Sequence, residues 1–189
     1  MSSLMACIIV AISGTPGSGK TTYAKFLAER YGLRYVSGGA LFREIARERG
    51  YDLVEFHRVA EIEEDIDFLI EERSLREALK GGVVIEGHLA VWVLRSIAHA
   101  KIIFDAPLEV RARRIAVRDS KSFSEALEEL VKREKSNRER AWKYYGLDVR
   151  DYSVADLVIN TGLLGEESVK FTLTSFFDRL RLEHPELFH

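Results

Sequence analysis

Gly14-Thr15-Pro16-Gly17-Ser18-Gly19-Lys20-Thr21 closes an apolar run, Met5 to Ile12, and opens the helical pattern of Thr22 to Arg30. Strand, glycine-rich loop and helix in that order form a phosphate cradle. The glycines let successive backbone N–H groups turn inward around a di- or triphosphate, and the helix N-terminus adds its positive dipole end. Lys20 can reach the β- and γ-phosphates as a mobile point charge, while the Thr21 hydroxyl can take one Mg²⁺ position. A nucleoside triphosphate is the expected ligand. The cradle does not say what receives the phosphate, since motors, GTPases, nucleotide kinases and assembly ATPases share it.

Composition narrows that list. A chain of 189 residues makes one domain with small inserted lobes and leaves no room for separate motor and regulatory domains. A net charge of −2 argues against a general basic surface for nucleic acid. Cys7 is the single cysteine, so no disulfide forms within the chain, which suits a reducing cytoplasm. Its place in the first apolar run predicts a small buried core residue. That run lacks a basic n-region and continues into the phosphate loop, unlike a signal peptide, and no stretch approaches the roughly 18–20 apolar residues of a membrane span. The expectation is a soluble cytoplasmic monomer with small-molecule nucleotides as partners, and neither nucleic acid nor membrane.

Further short apolar strands are predicted at Arg34–Val36, Val83–Glu86, Ile102–Asp105 and Leu157–Asn160, separated by helical patterns. Nearly continuous apolar strands with helical crossovers imply a doubly wound α/β fold, a five-stranded parallel sheet covered on both faces. Two excursions interrupt the alternation. Leu53 to Leu79 reads as a pair of helices carrying Glu61, Glu63, Glu64, Asp65 and Asp67, and Lys121 to Tyr145 as a helix rich in Lys and Arg ahead of Gly146. Both can overhang the strand ends where such sheets bind ligands. They divide the single domain into a core of residues 1–52, 80–120 and 146–189, with lobes at about 53–79 and 121–145. Pro107 is expected at the first position of a helix, Glu166–Leu182 as a helix covering the sheet, and His184–His189 as a frayed end.

Three clusters can carry chemistry. After the second strand, Ser37-Gly38-Gly39-Ala40-Leu41-Phe42-Arg43 lets a ligand approach a helix N-terminus, with Arg43 one turn in to grip phosphate; the plainer reading is a helix cap and a solvated Arg. Glu86-Gly87-His88 ends the third strand. Glu86 there completes Mg²⁺ coordination through water or merely pairs with Lys20, Gly87 leaves room for an acceptor, and His88 can donate a hydrogen bond to it. Arg111, Arg114 and Arg118 share one helical face, and Arg133 and Arg140 lie seven apart with Arg138 nearby. They either close on transferring phosphoryl groups or, with the intervening glutamates, solvate a charged face.

Taken in order, the phosphate loop, Ser37 to Arg43, Val84-Ile-Glu-Gly-His-Leu-Ala-Val-Trp92, the Ala106-Pro-Leu-Glu-Val-Arg111 helix with Arg114 and Arg118, and Asp156-Leu-Val-Ile-Asn-Thr161 resemble the cytidylate kinases, in particular the short archaeal type. The likeness covers roughly residues 5–165. It implies a P-loop kinase that transfers the ATP γ-phosphoryl group to CMP, with dCMP as a second acceptor, using Mg²⁺. The ATP-binding set is then Gly14, Thr15, Pro16, Gly17, Ser18, Gly19, Lys20, Thr21 and Thr22, with Arg114 stacking on adenine and Asn160 and Thr161 near the donor base. Thr21 and Glu86 would serve the metal. Lys20, Arg118, Arg133 and Arg140 would act on the transferring phosphate. Residues 53–79 become the monophosphate-binding lobe and 121–145 the lid. Ser37, Arg43, Gly87 and His88 would border the acceptor, although relatives carry Arg where this chain has His88. Cytosine differs from uracil by its N4 amino donor and N3 acceptor, for which a buried carboxylate and an Arg or amide are needed, and Asp67 and Arg73 are the candidates. UMP, AMP or an alcohol such as shikimate is an alternative acceptor, and an adenylate-kinase-like ATPase of RNA or ribosome assembly an alternative class. A GTPase is excluded by the lack of an Asn-Lys-x-Asp guanine motif after the fourth strand.

Overall fold

Strand β1 (Ile9–Gly14) is buried at every position, as an unbroken apolar strand must be when helices cover both faces of its sheet. The computed structural model describes residues 7–188, apart from the side chains of Leu53, Val54, His57, Glu61 and Glu64. The predicted start of the first apolar run, Met5 and Ala6, and two of the predicted lobe carboxylates therefore lie outside the described residues, as does His189. β1 pairs in parallel with β3 (Val83–Glu86) on one side and β4 (Ala100–Asp105) on the other. β2 (Arg34–Ser37) and β5 (Leu157–Asn160) form the edges of a five-stranded sheet in the order β2-β3-β1-β4-β5. Ile12 lies opposite both Glu86 and Ile102, so the C-terminal ends of β1, β3 and β4 come out together. The phosphate loop emerges at that edge.

Alternate side chains of β1 feed two cores. Ile8, Val10 and Ile12 face α1 (Lys20–Tyr31) and α8 (Glu166–Glu183), meeting Tyr23, Leu27, Val169, Leu173 and Phe177. Ile9 and Ala11 face the short α5 (Ala90–Val93) and the segment at Leu147–Ala155. Two satellite cores build the overhanging lobes. Ile45 and Ala46 of α2 (Gly38–Glu48) enclose Phe56 and Ala60 of α3 (Leu53–Ile62) and Ile66 of α4 (Glu64–Ala78). Ala112 and Ile115 of α6 (Leu108–Asp119) meet Ala126 and Leu130 of α7 (Phe123–Tyr145). In packing terms the first lobe thus includes α2, ahead of the boundary predicted at residue 53.

α7 is a single helix of 23 residues, started by a capping box between Ser122 and Glu125 and stopped at Gly146, whose φ of 64° suits glycine. Pro107 is the cap residue instead of the first helical one: its ψ of 144° is extended, while its carbonyl accepts the Arg111 N–H at 3.1 Å. The C-terminal end is not frayed. Residues Pro185–Phe188 form a short 3₁₀ turn, the Ile8 N–H donates to the Leu187 carbonyl at 2.9 Å, and Leu187 and Phe188 pack on the main core. Cys7 precedes the strand and is exposed, contrary to the expectation of a buried residue. No helix among the described residues is long and apolar enough to cross a membrane.

Phe56 is fully buried in the first lobe's own core. Phe56→Ala is expected to cost about 3–5 kcal/mol, read as a lower urea midpoint.

Candidate active site

The loop between β1 and α1 is fixed by close backbone approach. A Cβ on Gly14 would stand 2.1 Å from the Phe104 carbonyl oxygen of β4, so only glycine fits where the strand turns into the cradle. The Thr15 hydroxyl donates to Asp105 Oδ1 at 2.7 Å, and Asp105 also accepts from the Ala106 N–H at 2.9 Å and the Tyr152 hydroxyl at 3.2 Å. Behind the loop, buried Arg111 donates through Nε to the Ala106 carbonyl at 2.7 Å and through Nη1 to the Pro16 carbonyl at 3.3 Å, and pairs with Glu134 of α7. A cavity of about 200 Å³ beside Thr15 and Pro16, bordered by His88, Trp92 and Arg138, separates the loop from α7.

Lys20 opens α1 at the floor of the cradle. Burial pushes its ammonium down to about 8; Glu86 opposes that shift, and the charges of Arg133, Arg118 and Arg111 add to it. A half-buried amine among like charges favours a bound polyanion. Thr21 Oγ1 donates to Glu86 Oε2 at 3.1 Å, and the Tyr35 hydroxyl donates to the same oxygen at 2.7 Å. Glu86 is therefore oriented by Thr21 and Tyr35, not ion-paired with Lys20. A hydroxyl and a carboxylate within one hydrogen bond at a helix N-terminus form a hard oxygen pair that fits Mg²⁺, which keeps most of its waters and takes few protein ligands. No cluster of three His, Cys, Asp or Glu with metal-binding geometry occurs among the described residues, and such a site requires none. Thr22 follows as an exposed residue of the same helical turn.

On the β5 side, Arg114 donates to the Thr161 hydroxyl at 2.9 Å and the Thr161 carbonyl at 2.7 Å and reaches the Gly17 carbonyl at 3.4 Å. Thr161 in turn donates to the Ser18 carbonyl at 2.7 Å. Arg114 and Thr161 thus stand at the cradle as the sequence predicts, but as a brace on it. Asn160 spends its Oδ1 on the Gly162 N–H at 2.9 Å and is exposed. Arg118 forks onto neighbouring Asp119 at 2.6 and 2.8 Å.

The acceptor side is assembled from β2, β3 and α4. Ser37 caps α2 by accepting from the Ala40 N–H at 3.0 Å, and Arg43 is exposed on the second turn with no ion pair among the described residues. A Cβ on Gly38 would stand 3.6 Å from Gly87 Cα and 3.8 Å from Ile70 Cγ2, so the two strand ends and α4 meet here. His88 Nε2 is buried without a partner; burial and the charge of Lys20 push the imidazole down to about 4, leaving it neutral at pH 7. A neutral ring offers no fork to phosphate.

One sequence assignment changes. Arg73 does not stand beside Asp67: six residues apart on α4, they point roughly 120° from each other, and Arg73 pairs outward with Glu48 and, at 3.5 Å, with Glu44. Arg140 takes the place beside Asp67, with Nε 3.5 Å from Oδ2, and donates through Nη2 to Asn137 Oδ1 at 3.1 Å. It also acts, with Lys20 and Arg133, on the His88 imidazole. Sequence reading missed Asp105, Tyr35, Tyr152 and the Arg111–Glu134 pair. Asp105 had a usable signal, since it ends an apolar strand as Glu86 does; the others depend on tertiary approach.

A glycine cradle with a lysine at the start of its helix, on a parallel sheet of order 2-3-1-4-5 and under two helical lobes, defines the P-loop kinases as a class. The fold of shikimate kinase from Bacteroides thetaiotaomicron is similar, with a TM-score of 0.63 at 16% identity over 90% of this chain and 98% of that one. The chain belongs to the cytidylate kinase-like family, whose pattern matches residues 9–163. Relatives named cytidylate kinase include that of Aeropyrum pernix, 51% identical over 82% of this chain and 91% of the relative. That of Staphylothermus marinus is 44% identical over 93% and 99%.

Glu134→Ala would leave the buried Arg111 guanidinium unpaired. The expected loss is about 2 kcal/mol, below the range for a fully enclosed pair because Glu134 is 29% exposed, and urea unfolding reads it.

Proposed function

We propose that this protein transfers the γ-phosphoryl group of ATP to CMP, and to dCMP, giving ADP and the cytidine diphosphate, as a cytoplasmic monomer acting on free nucleotides. The observation that carries this reading is Lys20, acted on by the charges of Arg118, Arg133 and Glu86, beside a Thr21–Glu86 oxygen pair, in a chain whose relatives are named cytidylate kinases.

In this reading the loop from Gly14 to Thr22 holds the ATP phosphates through its N–H groups, and Arg114, Asn160 and Thr161 border the adenine. Thr21 directly and Glu86 through water would hold Mg²⁺, which when bound neutralises charge on the β- and γ-phosphates. Ser37, Arg43 and Gly87 receive the acceptor, with Arg43 gripping its phosphate. His88 replaces a charged fork by a neutral hydrogen-bonding ring, so Arg43 carries more of that grip. Residues 53–79 act as the monophosphate lobe and 121–145 as the lid.

The acceptor phosphate has a second pKa of about 6 and is largely ionised at pH 7, so it attacks without a strong general base. Catalysis then rests on holding donor and acceptor in line and on Lys20, Arg118 and Arg133 offsetting the charge that spreads over the transferring group. Exclusion of water by the two lobes suppresses hydrolysis of ATP.

Lys20→Ala is expected to lower kcat at least about a hundredfold, or 2.7 kcal/mol of transition-state stabilisation, with the fold retained by circular dichroism. Incubating ATP and Mg²⁺ with CMP, dCMP, UMP, AMP, shikimate or no acceptor, and measuring ADP and phosphorylated product, tests the reading. ADP formed only with CMP and dCMP supports it; ADP formed equally without acceptor makes the protein an ATPase. Chelating Mg²⁺ with EDTA is expected to abolish product in every arm.

A further inference from the structure

We infer that Tyr35 is a positioning residue for the metal: its hydroxyl holds one oxygen of Glu86, Oε2, and so keeps the other, Oε1, for the water of an ion bound beside Thr21. The inference rests on the proposed Mg²⁺ and nucleotide reading and adds to it a residue that touches neither.

Strand register brings Tyr35 to Glu86. β2 runs parallel to β3 with Tyr35 opposite Val84 and Ser37 opposite Glu86, so Tyr35 lies one pleat repeat short of the carboxylate. Tyr35 and Val84 share the core that packs on α1, which puts the phenol on the same side of the sheet as Thr21. Two residues of strand measure about 6.6 Å, a step that a phenol leaning along the strand covers and a serine or threonine does not. The hydroxyl arrives at Glu86 Oε2 at 2.7 Å. Lys25, one turn after Thr21 on α1, places its Nζ 5.8 Å from the centroid of the same ring, so the phenol is also held by a cation over its face.

Glu86 is 7% exposed, and a carboxylate so enclosed needs partners for its oxygens. Oε2 accepts from the Tyr35 hydroxyl at 2.7 Å and from the Thr21 hydroxyl at 3.1 Å. No hydrogen bond engages Oε1 among the described residues. The two donors differ in what metal binding asks of them. Thr21 is an exposed side chain whose oxygen becomes a ligand, and its bond to Glu86 is the longer one. The Tyr35 hydroxyl takes no part in coordination and is half-buried, so it holds the carboxylate alike with and without the ion. Burial first, then the charge and hydrogen bond of Glu86, push that hydroxyl well above its ordinary range, so it stays a donor across the working pH range.

Mg²⁺ keeps most of its waters in a strict octahedron, so a carboxylate that meets it through water serves only when its direction is fixed. Groups that orient metal-site carboxylates from behind typically change metal affinity by about 10–100-fold. Without the Tyr35 hydroxyl, Glu86 keeps the Thr21 bond alone and Oε1 loses its fixed direction.

The test uses Tyr35→Phe, which retains the ring and its packing and removes only the hydroxyl. Mn²⁺ is the probe. Its dissociation constant from the complex of the full chain with adenylyl imidodiphosphate, an ATP analogue that is not turned over, is read from the electron paramagnetic resonance of free Mn²⁺, with thermal midpoints recorded for each protein. The expected result is Mn²⁺ held about tenfold more weakly by Tyr35→Phe, while the same nucleotide in EDTA binds within about twofold of wild type. A general loss of packing would weaken both. In a Glu86→Ala background, adding Tyr35→Phe is expected to change Mn²⁺ binding by less than about twofold, because the hydroxyl then has nothing to position. A wild-type complex that holds Mn²⁺, with a folded Tyr35→Phe that holds it within twofold, overturns the role of Tyr35 alone. A wild-type complex that holds Mn²⁺ no better than the free nucleotide overturns the Thr21–Glu86 metal assignment and this inference with it.

Discussion

The positive charge gathered around Lys20 is the constraint around which the strand ends are organised. Loss of solvent and three nearby arginines disfavour the charged amine, while Glu86 favours it. Glu86 offsets part of this and is itself held in place by the hydroxyls of Thr21 and Tyr35. The positive charge at the loop therefore suits it to a phosphate chain. The rigidity needed to hold it comes from the surroundings: Gly14 wedged against the Phe104 carbonyl, Thr15 tied to Asp105, Arg111 bonded to the Pro16 carbonyl, and Arg114 and Thr161 bracing Gly17 and Ser18. These contacts fix the loop before any ligand arrives, which is how a site becomes complementary to developing charge without reorganising.

The fold was legible in the sequence because its signals are local. The apolar runs marked all five strands, Gly146 marked the end of α7 through its left-handed backbone, and the glycine pattern placed the cradle between β1 and α1. The errors fall where distant segments decide the outcome. The segment after α8 folds back because Ile8, almost a whole chain away, needs a partner for its N–H. Cys7 is exposed because the buried part of the first strand begins only at Ile8.

The site divides along the same line. The cradle residues follow one another in the chain and could be read directly. The arginines could be recognised as a set but not sorted, since helical spacing makes Arg133 and Arg140 equivalent while packing does not. Arg133 contributes to the charge felt by Lys20, and Arg140 is drawn to Asp67. Arg73 was the reverse case, an arginine near Asp67 in sequence that the turn of the helix sends to Glu44 and Glu48. Tyr145, whose hydroxyl is buried without a hydrogen-bond partner, and Glu71, whose carboxyl burial pushes up to about 8, had no sequence signal, because only the approach of α7 to α4 makes either of them unusual.

That approach also bears on how the two halves of the reaction are coupled. α7 is attached at Glu134 to Arg111 and so to the back of the donor loop, and at Arg140 to Asp67 on the acceptor lobe. The two contacts lie on one uninterrupted helix, so donor loop and acceptor lobe share a single element. The neutral His88 fits this arrangement. A charged arginine at that position would add a further cation among Lys20, Arg133 and Arg140, all of which already act on it. An uncharged ring keeps the passage between donor and acceptor polar without raising the repulsion that the phosphates must offset.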